Sequence, residues 1–253
     1  TYDGSKTETL VTGNPLNVSD IEVGPDGSIV FTTGGRGTEG GVYRLRAAGS
    51  TPTAAQANSV NELLDLPQLH AAWAREIASK VKAAAGESWN AELESAVRTG
   101  SPAHQVQALT LLSQIGPAPT LELLVEAATA EDPGVRAFAA WLLSYHSSET
   151  ARATLISLLG DSSPRVQRRA CEALVRSDQQ GTADALLPLL SSEDRFLRFA
   201  ARLALERLPA DQWKEKVLAL QDDRARLTGL LGLMRPKTPG IKPDEVLTLA
   251  SDT

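Results

Sequence analysis

Three stretches of this chain, DPGVRAFAAWLL at 132–143, SPRVQRRACEAL at 163–174 and DRFLRFAARLAL at 194–205, repeat one pattern at a fixed interval. Pro102, Pro133, Pro164 and Arg195 each follow the previous one by 31 residues. At that interval Val135, Val166 and Leu197 form one column, Ala139, Ala170 and Ala201 a second, and Leu143, Leu174 and Leu205 a third. The copy before them fits more loosely, with His104, Ala108 and Leu112. The columns lie four residues apart, so they share one helix face. A second set precedes each copy: Leu124/Leu155/Leu186, Val125/Ile156/Leu187 and Ala128/Leu159/Leu190, with Leu93 and Val97 earlier.

Each unit therefore reads as a helix, a short turn of Asp or Ser followed by Pro, and a second helix. Proline suits the first helical turn, where no amide hydrogen is needed. Asp132 or Ser163 just before it is placed to cap the exposed amides. A pair of this size cannot bury its own apolar stripe, but stacked copies can, and small alanines let neighbours approach. The spacing predicts an α-solenoid of about five two-helix units over 60–250, with flanking helices at 60–85 and 211–235.

Residues 1–50 follow a different grammar, rich in Gly, Thr, Asp and β-branched residues. Strands are expected near 8–11, 19–23, 28–32 and 41–46, with GPDG at 24–27 as a hairpin turn and GGRGTEGG at 34–41 as a loop. Residues 51–59 read as a linker. A small isolated sheet is marginal in water, so this β segment is expected to have had neighbours. The opening TYDGSKTETL, with neither an initiating Met nor a signal-peptide pattern, reads as the interior of something longer.

The totals narrow the chemistry. A net charge of −6 argues against a general nucleic-acid surface. No apolar run approaches the length of a membrane span. The single Cys171 excludes internal disulfides and a Cys-x-x-Cys-His haem attachment. It reads as a packed thiol. His70, His104 and His146 are scattered without a second ligand at helical spacing, so a metal site is not expected. Asp26 and Gly27 read as a turn and not a calcium loop. Arg36 is the residue of the Gly-rich stretch placed to meet an anion in an intact propeller, although a structural or solvent role is the plainer reading. Trp73, Trp89, Trp141 and Trp213 read as packing between units. No catalytic, cofactor-binding or metal-ligating residue is assigned.

One set of side chains stands out. Arg136, Arg165, Arg168, Arg169, Arg195, Arg198 and Arg202 crowd the second helices, near Asp132, Asp161, Glu172, Asp194 and Glu206. The plainer reading pairs them within the chain; the sharper one is a basic stripe that holds an acidic protein partner.

Asp132-Pro-Gly-Val135-Arg136 resembles the opening of a HEAT repeat's second helix, and Asp194 with Leu197-Arg198 is a near match, while Gln167 replaces the arginine between them. The segment PLNVSDIEVGPDGSIVFTTGGRGTEGGVYRL at 15–45 is similar to the last blade of sorbosone/glucose-dehydrogenase-like β-propellers. The order of blade, LPQLHAAWARE, repeats and DRFLRFAARLALERLP resembles large bacterial "membrane-bound dehydrogenase" proteins, in which a propeller precedes HEAT-like repeats and a c-type cytochrome domain often follows. That resemblance implies a quinoprotein-type parent acting in the periplasm or at the cell envelope. Pyrroloquinoline quinone (PQQ) and haem c would then sit outside these residues. The chain itself is expected to be a non-catalytic scaffold for protein partners, such as other domains of the same polypeptide or an electron-transfer protein. The alternative makes it a portion of a sugar or alcohol oxidoreductase.

Overall fold

A computed structural model describes residues 8–14, 16–35, 37–49, 53–177 and 182–234, together with 244 and 246. It divides into two compact units, Thr1–Trp89 and Asn90–Thr253.

The first unit carries three antiparallel strands in sequence order, β1 (Val18–Val23), β2 (Ile29–Gly35) and β3 (Thr38–Leu45). Four strands were expected; residues 8–11 are exposed and carry no strand. Four residues with no facing partner have no ladder to join, and β1 pairs with β2 alone among the described strands. The GPDG turn forms as expected, with Val23 opposite Ile29 and Gly27 at φ 74°. Asp26 fixes it: its Oδ1 accepts from the Ser28 hydroxyl at 2.6 Å and amide at 3.2 Å. Arg44 reaches across from β3 to Ser28 Oγ at 2.9 Å and to the Asp26 carboxylate. The Ser28 hydroxyl first, with Arg44 adding, holds the Asp26 carboxyl below its ordinary value.

The Gly-rich stretch was expected to be a loop, but the ladder runs through it, with Thr33 opposite Gly41 and Gly35 opposite Thr38. Glycine weakens a strand without preventing pairing. Here it makes room, because a Cβ on Gly41 would lie 2.7 Å from the Tyr43 ring, which folds over it. Tyr43 stacks on its cross-strand neighbour Phe31 at 5.3 Å. Arg36 lies outside the described residues.

Helices α1 (Val60–Leu64) and α2 (Ala72–Ala85) complete the first unit. The expected single helix over 60–85 is broken between them, where Pro67 stands. The intervening segment closes on the sheet. Gln68 Oε1 accepts from the Val23 amide at 3.0 Å, and Trp73 Nε1 donates to the Val23 carbonyl at 3.0 Å. The Ala55 amide bonds the Pro25 carbonyl.

Beyond Asn90 the fold is helical: α3 (Ser88–Thr99), α4 (Pro102–Ile115), α5 (Leu121–Ala127), α6 (Pro133–Leu143), α7 (Glu149–Leu158), α8 (Pro164–Arg176), α9 (Ala183–Leu186), α10 (Arg195–Leu205), α11 (Lys214–Leu218) and α12 (Asp223–Leu233). A 3-10 turn, Leu187–Ser191, extends α9, since Pro188 cannot donate within an α-helix. The second helices stack in order, α6 on α4 and α8, α8 on α10, and α10 on α12. These are the expected two-helix repeats. Val135, Val166, Ala139, Ala170, Ala201, Leu143 and Leu205 are wholly buried, and Leu197 and Leu174 are nearly so.

The capping follows the sequence with one exception. Asp132 accepts from the amides of Gly134 and Val135, Asp194 from those of Phe196 and Leu197, and Ser101 from that of His104. Ser163 makes no side-chain cap; Asp161 Oδ1 instead accepts from the Ser163 amide at 2.8 Å.

The expected single helix at 211–235 is a fifth pair, α11 and α12, because Asp222 caps a new helix through the Ala225 amide at 2.7 Å. Asp222 follows Asp194 by 28 residues, three fewer than the earlier interval. With that shift Ala225, Gly229 and Leu233 continue the three buried columns, and all three are buried. Gly229 is the tightest point: a Cβ there would meet Val217 Cγ1 and Cγ2 at 2.6 and 2.7 Å. Val217 is wholly buried and β-branched, so it has little room to turn away.

An alanine at a helical glycine ordinarily gains about 1 kcal/mol. We expect Gly229→Ala to reverse that sign and cost about 1–3 kcal/mol by overpacking, read as a lower urea midpoint. Adding Val217→Ala should abolish the overpacking component. An unchanged or raised midpoint for the single variant would refute the close approach.

Candidate protein-binding face

The seven arginines singled out in the sequence separate into two groups. Arg136 and Arg198 turn inward to the chain. Arg136 NH1 donates to the carbonyls of Ala130 and Glu131 at 2.8 and 2.7 Å, and Arg198 NH1 to those of Ser192 and Glu193 at 2.6 and 3.1 Å. In both cases the acceptors are the sixth and fifth residues before the arginine. The alternate units, one before Arg136 and one between the two arginines, place glutamine in the same column. Gln105 Nε2 donates to Val97 O at 2.8 Å and Gln167 Nε2 to Leu159 O at 3.1 Å, each eight residues back. One polar side chain per unit thus satisfies carbonyls left over at the end of the first helix or in the turn after it. Gln167, which breaks the arginine pattern in sequence, keeps its function in structure. At Arg226, the corresponding residue of the shortened unit, the Nε is buried without a hydrogen-bond partner among the described residues.

Arg136 also grips the next unit, through Nε to Asp161 Oδ2 at 2.7 Å and NH2 to Oδ1 at 2.9 Å. The Asp161 side chain is 8% exposed and that of Arg136 is 15% exposed. The Arg136 guanidinium, aided by the Ser163 amide, holds the Asp161 carboxyl below its usual range, and Asp161 raises Arg136 in return. Arg202 pairs along its own helix with Glu206 at 3.2 Å.

The other group lies open on the second helices. Arg165, Arg168 and Arg169 sit at positions i, i+3 and i+4 of α8, so they share a face. Arg165 and Arg195 are exposed, as is Arg176 at the end of α8, and among the described residues no carboxylate pairs with these three. Arg168 and Arg169 share a single carboxylate, Glu172, at 3.5 and 2.7 Å. This surface therefore carries excess positive charge on a chain whose net charge is −6.

Aromatic side chains interleave with it, which the sequence reading did not anticipate. Tyr145, Phe196 and Phe199 are 61%, 52% and 54% exposed. Arg176 lies over Tyr145 at 6.0 Å and Arg202 over Phe199 at 5.2 Å. Phe196 receives Arg195 at 4.7 Å and, from the preceding unit, Arg168 at 5.8 Å. On α6 and just beyond it, Phe138 stacks on Trp141 at 5.3 Å and Trp141 meets Tyr145 edge-on at 5.6 Å. On α12, Leu227, Leu231 and Met234 are exposed. Once the three-residue shift is allowed, Arg168, Phe199 and Leu227 fall in one repeat column. Reading that column would have found Phe199, but the other aromatics occupy different repeat positions and Ala137 in the same column is buried.

A HEAT-repeat family model matches residues 121–206. The matched stretch spans the helix pairs from α5 to α10, which are similar to HEAT repeats. A search of curated proteins returns no match. The matched residues contain all seven arginines as well as Phe196 and Phe199.

The other singled-out residues are readily placed. Cys171 is wholly buried in α8, and burial, with Glu172 nearby, pushes its thiol up to about 12, far from a reactive thiolate. His70 is exposed, and His104 and His146 are half-buried. Among the described residues no three His, Cys, Asp or Glu side chains cluster as metal ligands. Asp26 serves the turn. Trp89 and Trp213 are buried, Trp213 donating to Leu208 O at 3.2 Å. No helix among the described residues is long and apolar enough to cross a membrane.

The Arg136–Asp161 pair yields a pH prediction. A carboxyl depressed in the folded state stabilises the fold above the unfolded value of ~3.9 and loses that contribution as pH falls through the folded value. Asp161→Asn should lower stability at pH 7 by about 1.5–3 kcal/mol, the scale of hydrogen bonds to a charged group. The difference between the urea midpoints of the two proteins should narrow as pH falls below ~3.9 and be smaller at pH 3 than at pH 7. A gap unchanged between pH 7 and pH 3 would contradict the assignment.

Proposed function

We propose that this chain is a HEAT-type scaffold that binds protein through the outward face of its second helices. The observation that carries the reading is the half-exposed row of Phe196 and Phe199 set among arginines, of which Arg195 has no carboxylate partner among the described residues. Exposed aromatics held in place beside cations cost little conformational entropy on binding and are common anchors at protein interfaces. Regular HEAT repeats supply a rigid backbone for such a face.

A second reading places the chain within a larger dehydrogenase-like protein at the cell envelope. It rests on the blade-like segment at 15–45, and the sheet supports it through Ile21, Val42 and Tyr43, which stand 63%, 74% and 51% exposed, on its two faces. Neighbouring blades would cover such residues. The sequence has no Cys-x-x-Cys-His for haem and offers a single blade-like sheet where a quinone site needs several, so the PQQ and haem sites of that parent would lie outside this chain.

Placing a photo-crosslinking phenylalanine analogue at Phe199 or, as a control, at exposed Glu122 of α5 tests the first reading. We expect a specific cross-linked protein from position 199 alone. That protein, once purified, should bind the unmodified chain and be lost with Phe199→Glu. Equal products at both positions, or none, would count against it.

A further inference from the structure

We infer that Phe196, Arg168, Arg195 and Arg165 form an anion clamp that seats acidic side chains of a protein partner. The inference rests on the protein-binding reading above and names the partner's chemistry. Two arginines from successive HEAT repeats, Arg168 of α8 and Arg195 of α10, approach the same Phe196 ring at 5.8 and 4.7 Å. Like charges brought together by a ring and not by a carboxylate are an unusual arrangement. Arg195 has no carboxylate partner among the described residues, and the nearest carboxylate to Arg168, on Glu172, lies at 3.5 Å without hydrogen-bond geometry. A guanidinium beside an aromatic ring keeps N–H donors able to bind carboxylates, which on Arg168 are the terminal ones, since its Nε is buried.

Two further observations give the site its sign and extent. Arg165, one turn before Arg168, is exposed and has no carboxylate partner among the described residues, while Arg169 already shares Glu172. Arg165 and Arg195 also stand in the first turns of α8 and α10, where the helix dipole favours negative charge. A basic cluster of this kind stands out locally on a chain of net charge −6, and complementarity of charge favours an acidic partner there. The apolar neighbours Phe199, Leu203 and Leu227 favour a segment that alternates acidic with apolar residues over a uniformly charged polyanion. They decide for a polypeptide against a nucleic acid.

Selection of a random twelve-residue phage-displayed peptide library on the full chain tests the clamp. Selected sequences should be enriched in Asp and Glu interspersed with apolar residues, and a fluorescent peptide of the selected sequence should bind more weakly as salt is raised. Phe196→Ala, and Arg168→Ala with Arg195→Ala, should each weaken it about tenfold or more, with unchanged thermal melts showing that the fold is intact. Arg168→Lys with Arg195→Lys should recover little, since lysine keeps the charge but not the planar fork. Selected peptides without acidic enrichment, but displaced by Phe199→Glu, would overturn the clamp and leave the protein-binding reading standing. No selected peptide would overturn the clamp. Tighter binding of a single-stranded oligonucleotide than of the selected peptide would overturn both.

Discussion

Two helices joined by a few residues expose too much apolar surface to stand alone, and the rest of the helical unit follows from that deficit. Covering a leucine is worth about 1.5–3 kcal/mol, and columns such as Leu143, Leu174 and Leu205 collect that gain only when each pair is roofed by the next. The requirement reaches down to single atoms. Ala139, Ala170, Ala201 and finally Gly229 keep one column small enough for neighbours to close, and at Gly229 even a methyl group would collide with Val217.

Stacking leaves polar groups to be settled between helices of a pair. Glutamine and arginine alternate in one column and do the same work over different reach, the shorter side chain serving a carbonyl at the end of the preceding helix and the longer one those of the turn. Arg136 has donors to spare and ties its unit to Asp161 of the next. Arginines that face inward are thereby committed to the fold. Those on the outward face, where no carbonyl waits, remain available, and the aromatic rings beside them hold them in position.

Much of this was legible in the letters. The 31-residue interval, the buried columns and the aspartate caps at Asp132 and Asp194 are local or periodic, and periodic signals survive without knowledge of the fold. The shortened last unit was not read, because a fixed period hides a three-residue deletion until Asp222 is recognised as a cap. The Gly-rich stretch at 34–41 was misjudged because glycine marks turns and also clears space for a ring such as Tyr43. Arg136 and Arg165 look alike in sequence; which turns inward depends on carbonyls and on Asp161, 25 residues away, that only the packed structure brings near.

Cys171 carries a practical consequence of its own. Sealed inside α8 with its proton held to about 12, the native sulfur will not compete with maleimide chemistry while the fold is intact. A cysteine placed by mutation on any outward position becomes the sole labelling handle. Spectroscopic rulers and tethered probes can then be laid along the repeats one site at a time, without first stripping the natural thiol from the interior.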